Sequence, residues 1–358
     1  MISPHRSCFS ATGRTSYKPY TSCIFVFGAK STNTPRPGRI SSMIRTKYLQ
    51  KSAQNRMLSC SAAGVANTVE LIRKSMHKLY GKSGCERILK SLELNLSEGE
   101  VVKYIEGKGE QRASSYLEGL TANPYHEVHN GQFCWLQKLE TEYELVQSEL
   151  KCALQNPNLS SVGNSIWVPA SRDDALAYGP NWRTLVLQDR CNWEETNVTF
   201  FPNTVRLLKD AESPSVEVFF ARQPPKTGIK PHTDNTNFIL TAHLGLDVPE
   251  QASWMQVGEF KKFWKTGKAL VADTSFIHST ANESENEDRY ILIVRFWHPE
   301  MSSTERHAMQ FLFDALDDPT ESGISVAERR AKERQESMQK RRNHNSERSL
   351  GLLSKGMR

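Results

Sequence analysis

Apolar positions fall into three regimes along the chain. From about Val65 to Leu120 they recur at helical spacing, with Val69, Ile72, Met76 and Leu79 on one face. Gly81 and Gly84 interrupt the run. This predicts a small helical lead-in that carries no chemistry. Residues 135–154 hold the clearest stripe: Trp135, Leu139, Tyr143, Val146, Leu150 and Leu154 share a face, and Pro157 follows. The spacing predicts one helix packed on a core. Between Val216 and Trp297 the period shortens. Val216–Gln223, Phe238–Val248, Ser253–Val257, Ala269–Thr274 and Tyr290–Trp297 read as short strands, punctuated by Pro224-Pro225, Lys226-Thr227-Gly228 and Thr266-Gly267-Lys268. Short strands divided by turns predict a mainly β fold with flanking helices, a sandwich or small barrel of the cupin-like jelly-roll kind. After Leu316 the chain turns highly charged. Ser325–Arg348 shows almost no apolar face, which predicts a solvated helix or a disordered tail without a core role.

Length and charge sharpen the division. A chain of 358 residues exceeds one compact core, so one domain with extensions is expected. Residues 1–64 form one extension, 65–112 the lead-in, 113–312 the main domain and 313–358 the tail. The net charge of +6 is unevenly spread. Residues 1–69 hold ten Lys/Arg and no acid, and residues 321–358 hold ten against five Glu. The middle keeps 26 Lys/Arg against 35 Asp/Glu, a net charge of −9. An acidic globular part repels phosphate backbones, so nucleic acid is not the expected ligand. The acid-free, Ser/Thr/Arg-rich start matches an organellar transit segment, plastid ahead of mitochondrion, with small residues near Cys60–Ala63 suited to cleavage. No apolar run reaches the length of a membrane span. Seven cysteines without CxxC spacing point to free thiols rather than a disulfide framework or a structural zinc site.

The candidate chemistry lies in the β region. His232-Thr233-Asp234 places two potential metal ligands at i and i+2, one side of an extended strand. His278 follows just after the apolar run Ala269–Val271. Two imidazoles and one carboxylate can cap one face of octahedral iron(II), leaving the other face for a bidentate 2-oxo acid and O2. Without thiolates a closed zinc site fits less well. Arg289 opens the run Tyr290–Val294. A guanidinium there suits bidentate capture of the distal carboxylate of 2-oxoglutarate, or it continues the charged loop Glu283–Asp288. His243, within Phe238–Val248, is a core histidine or a contact to the cosubstrate carboxylate.

The stretches Pro231–Asn237, His243–Leu246, Asp273–His278 and Phe296–Glu300 together closely resemble the aspartyl/asparaginyl β-hydroxylase family. Tyr116–Leu120 with Pro124-Tyr125, Leu139-Glu140 with Glu149-Leu150, Trp182–Leu187 and Phe201–Thr204 are similar to its lead-in, and the resemblance covers roughly residues 113–312. It implies a double-stranded β-helix that binds Fe(II) and 2-oxoglutarate. His232 and His278 fall on the family's metal histidines, and Arg289 and His243 on positions holding the 2-oxoglutarate carboxylate. The implied reaction is hydroxylation of a C–H bond with release of succinate and CO2, on a peptide or small-molecule substrate. The chain departs from the animal enzymes twice. They have glycine where this chain has Asp234, the third ligand expected here. They also have an arginine that grips the substrate's acidic group where this chain has Thr241; Arg222 on the neighbouring strand is the candidate replacement.

Three rival readings use the same residues. Arg289 and Arg295 make an R-x5-R pattern after HxD…H, as in nucleic-acid demethylases, against which stands the acidic middle. A non-catalytic β-helix would serve as a binding module. A metal-assisted isomerase or hydrolase on a cupin scaffold would not need Arg289.

Overall fold

A computed structural model of the protein describes residues 62–163, 167–169, 177–178 and 182–355, so the proposed transit segment lies outside the described residues except for 62–64, the start of the first helix. Two helices come first, α1 (Ala62–Tyr80) and α2 (Lys82–Leu96). They divide at Gly81, whose φ of +73° reverses the chain at little steric cost. The expected helical pattern then fails. Residues beyond 100 form a hairpin, β1 (Val101–Ile105) and β2 (Gly109–Ser115), closed through Gly107 and Gly109 at positive φ. The buried side of β2 carries Gln111 and Ser115 beside Ala113, so hydrophobic period could not announce it.

After β3 (Tyr125–His126) come α3 (Cys134–Thr141), α4 (Tyr143–Gln155) and α5 (Pro157–Val162). The single helix expected over 135–154 is thus two, parted at Glu142. The twisted sheet beneath explains the break. Glu140 on α3 accepts from the Ala269 amide at 2.8 Å, while Gln147 on α4 donates to the Leu246 carbonyl on another strand. The chain continues through β4 (Val168–Pro169), β5 (Ala177–Tyr178), β6 (Arg183–Asp189), β7 (Asn192–Trp193) and α6 (Pro202–Asp210).

The central strands follow: β8 (Ser215–Gln223), β9 (Thr227–His232), β10 (Asn235–Thr236), β11 (Ile239–Asp247), β12 (Ser253–Val257), β13 (Phe260–Phe263), β14 (Ala269–Ala272), β15 (His278–Asn282) and β16 (Arg289–Trp297). The larger sheet runs β3-β14-β11-β16-β8-β6-β4, with β7 on β6; the smaller runs β13-β12-β15-β9-β5. From β8 to β16 the chain passes back and forth between the two sheets through antiparallel pairs, save for the β12–β13 hairpin within the smaller sheet and β10, which pairs with β2 in a third. That alternation makes a double-stranded β-helix, the expected jelly roll. The five sequence-read runs all lie on strands. β9, β13 and β15 were not read, because polar and turn-forming residues dominate them.

Each face of the larger sheet has its own core. Outward, Phe220, Leu240, Leu244 and Leu292 pack under α3–α6. Inward, Phe219, Ile291, Ile293, Met255, Val257 and Trp264 fill the space between the sheets. A third cluster joins α1 and α2 to α7 (Ser303–Asp317) and α8 (Glu321–Lys355). This corrects the reading of the tail. Ile324, Ala327 and Ala331 on α8 are buried, and Arg334 donates to Asp314 at 2.7 Å. One isoleucine and two alanines about a turn apart suffice to seat the first part of α8. Among the described residues no helix is long and apolar enough to cross a membrane.

Candidate active site

The metal-type triad assembles where β9 ends and β15 begins. His232 and His278 are cross-strand partners, and their rings lie 4.2 Å apart between centroids. The Nδ1 of each meets the carbonyl two residues earlier, Lys230 O at 2.8 Å and Phe276 O at 3.0 Å. A carbonyl demands a donor, so Nδ1 carries the proton and Nε2 keeps its lone pair for a metal. Asp234 completes the set: one ligand atom from each of the three residues lies within 4.8 Å of the others.

Asp234 does not reach this place along a continued strand, as the i, i+2 argument assumed. β9 stops at His232, and Asn235 sits at φ +58°. The turn Asp273–Phe276 takes over. The Asp234 amide donates to Thr274 O at 2.9 Å, and Thr233 Oγ1 donates to Arg112 O at 2.8 Å and accepts from the Asn235 amide at 3.0 Å. That turn is itself held by Asp273, whose carboxylate accepts from the Ser275 amide at 3.0 Å and from Gln111 Nε2 at 3.4 Å. Burial pushes the Asp273 carboxyl up to about 7 against the pull of these donors.

A second group of candidates gathers on Trp264. Arg289 starts β16 opposite Gln223, and its guanidinium carbon stands 4.1 Å above the Trp264 ring centroid. The residue is 2% exposed, yet Nε and Nη1 find no hydrogen-bond partner. Burial alone pushes its pKa down to about 9. His243 stacks on the same indole, 5.7 Å between centroids and 24° between planes, and its Nδ1 is also without a partner. Burial, then the charge of Arg289, hold His243 near 3, so it is neutral at physiological pH. His243 also feels the charges of His278 and Asp234, so it lies near the triad as well as the guanidinium. Buried donors left unsatisfied are costly unless a ligand meets them. A carboxylate suits this guanidinium.

Other sequence candidates fall elsewhere. Arg222 neighbours Arg289's partner Gln223 in sequence, so the pleat turns it to the opposite face. There it donates to Asp288 at 2.7 Å, and it does not replace the substrate grip. Thr241 is buried, with Oγ1 3.3 Å from Thr274 Oγ1. Trp264 was missed: a lone aromatic after β13 gives no periodic signal. Glu217 was missed too; only its register with Arg295 shows that both point inward.

Residues 140–299 match the aspartyl/asparaginyl beta-hydroxylase family. The match contains the triad, His243, Trp264 and Arg289. The chain is 27% identical over 204 residues to human aspartyl/asparaginyl beta-hydroxylase, covering 56% of this chain and 26% of that protein. It is 31% identical over 139 residues to human aspartate beta-hydroxylase domain-containing protein 2, covering 37% of each. Mouse aspartate beta-hydroxylase domain-containing protein 1 is 28% identical over 179 residues, 48% of this chain and 49% of that one. The matched part thus spans between a quarter and a half of these relatives' lengths. The β-hydroxylase motifs read from the sequence acquire structural roles. Glu149 caps α6 by accepting from the Asn203 and Thr204 amides, both at 2.8 Å. Asn237 pairs with the Leu117 backbone in both directions, each at 2.8 Å. Glu300 accepts from the Thr121 amide at 2.7 Å.

Proposed function

We propose that the protein is an Fe(II)- and 2-oxoglutarate-dependent oxygenase that hydroxylates a C–H bond, with an aspartyl or asparaginyl residue of a peptide as the favoured substrate class. The observation that carries the reading is the buried, unanswered guanidinium of Arg289 on Trp264, set in the same interior as two histidines and an aspartate of ligand geometry. A simple hydrolase or isomerase site has no use for it.

His232 Nε2, His278 Nε2 and an oxygen of Asp234 would hold the iron. With 2-oxoglutarate and O2, iron supplies oxidative decarboxylation to succinate and CO2 and oxygen insertion into a C–H bond. The protein's own groups orient and exclude. Arg289 would take the distal carboxylate of 2-oxoglutarate in a dry pocket, where a charge-assisted pair is strongest. Neutral His243 offers Nδ1 to the same carboxylate without adding charge. The walls of Phe219, Ile291, Ile293, Met255 and Val257 keep bulk water from the interior. The acid-free segment 1–64 would direct the protein to an organelle, plastid ahead of mitochondrion; a fluorescent fusion of that segment tests this.

The full chain with Fe(II), ascorbate and 2-oxoglutarate should release succinate slowly without substrate, and His278→Ala should abolish the release. Absence of both metal and 2-oxoglutarate binding by calorimetry would overturn the oxygenase reading and favour a binding module.

A further inference from the structure

Arg295 is the second of two arginines on the inward face of β16, three residue pairs along from Arg289. It is 1% exposed. Its register partners are Thr241 on β11 and Glu217 on β8. Nη1 lies 3.3 Å from Asp234 Oδ2, and Nε lies 3.6 Å from Glu217 Oε2. The guanidinium makes no hydrogen bond through Nε, Nη1 or Nη2, so these two ionic contacts hold it. Glu217 is 3% exposed and Asp234 7%. A buried cation thus bridges a carboxylate of the metal-type triad to a carboxylate that belongs to the sheet.

Asp234 needs such support. Its backbone leaves β9 before the residue begins, so no strand register fixes its side chain. The histidines differ: each is locked by its own strand and by a carbonyl at Nδ1. A carboxylate on a turn, by contrast, loses rotamer freedom on binding a metal unless a neighbour has already set it. Arg295 can set it because Arg295 is itself pinned. β16 is paired on both sides, and Glu217, on the neighbouring strand, draws the Nε end of the guanidinium while Nη1 faces Asp234. Glu217 also shares the cation's charge, so that Arg295 orients Asp234 without competing fully with a divalent ion for it.

We infer that Arg295, anchored by Glu217, is a positioning residue that presents the Asp234 carboxylate to the metal. The inference rests on the oxygenase reading of the triad and adds to it an interior relay, Glu217–Arg295–Asp234, that converts a turn residue into a preset ligand. Arg295 acts through Asp234 and touches neither metal nor cosubstrate in this role.

A double-mutant cycle on the full chain tests it, with anaerobic calorimetry of Fe(II) and the visible absorption of Co(II) as readouts. Arg295→Gln should weaken metal binding roughly 10- to 100-fold, the usual cost of losing an outer-sphere partner, and should move the Co(II) bands toward those of Asp234→Gly. In the Asp234→Gly background the same substitution should change affinity less than about twofold, since the ligand it serves is gone. Glu217→Gln keeps the guanidinium and should give a smaller loss, equally absent in Asp234→Gly; it serves if Arg295→Gln does not fold by circular dichroism. Equal losses with and without Asp234, or no loss from either variant, would overturn the inference while leaving metal binding by the parent intact. A parent chain that binds neither Fe(II) nor Co(II) would instead bring down the oxygenase reading, and this inference with it.

Discussion

Arg289 is the residue whose environment makes least sense without a ligand. It has lost bulk water, carries its charge over an indole and leaves two donors unused. Arg289→Gln should weaken 2-oxoglutarate binding by about 100-fold or more, the scale for losing one partner of a buried charge pair. Metal binding should stay within about twofold, as calorimetry would show; retained 2-oxoglutarate affinity would refute the assignment. Asp273 makes the complementary case. Burial raises its carboxyl to about 7 from an ordinary 3.8. Between those values the folded chain keeps a proton that the unfolded chain has released. Its contribution to stability is therefore full below about pH 3.8 and declines as the pH rises to about 7. Asp273→Asn should remove that decline, so the stability difference between variant and parent in urea shifts in the variant's favour from pH 4 to 7. A difference independent of pH would mean that the carboxyl does not titrate in this window. At this scale the sequence was informative about identity and poor about surroundings. His232, His278 and Arg289 could be singled out as candidates because of their residue types. Trp264 and Glu217 were not, because each owes its position to a strand far away in sequence.

Elements succeed or fail in the sequence according to how much of their burial is apolar. β8, β11 and β16 are buried nearly throughout and are apolar enough to read as strands despite their few polar residues. β9 and β15 carry the metal-type histidines, and polar residues dominate both. The strands that hold the candidate chemistry are therefore the ones that periodicity misses. Helix ends show the same dependence on distant partners. α6 begins with Pro202, and its free amides meet Glu149 of α4 rather than a local cap. A carboxylate at a helix N-terminus both satisfies donors and complements the dipole. Glu149→Ala should cost about 1–2 kcal/mol, seen as a lower urea midpoint with unchanged slope. A loss below about 0.3 kcal/mol would show that water replaces the cap.

The whole molecule is a β-helix with helices on one sheet and a helical bundle at its flank. α1, α2, α7 and the first half of α8 share one apolar cluster, which also takes in Val216, Ile239 and Trp297 of the sheet. The bundle is thus continuous with the ends of β8, β11 and β16 rather than an appended module. Removing residues 321–358 should strip Ile324, Ala327 and Ala331 from that cluster and break Arg334 from Asp314. A loss of roughly 3 kcal/mol or more is expected from the apolar side chains, lowering the melting temperature on the order of 5–10 °C. An unchanged melting temperature would restore the view of α8 as a passive tail.

The chain's residue types and their local order were enough to read the mainly β class, the likeness to the β-hydroxylases and the candidate ligand set of two histidines, an aspartate and an arginine in fixed succession. Those features are local, and local patterns survive in a linear string. Tertiary structure alone decided which polar groups meet. It turned Arg222 outward and Arg289 inward, because one step along a pleat exchanges faces. Strand register set Glu217 beside Arg295, whose guanidinium reaches Asp234, and packing buried the start of a helix that looks fully solvated in isolation, because one isoleucine and two alanines need only a matching groove to be covered.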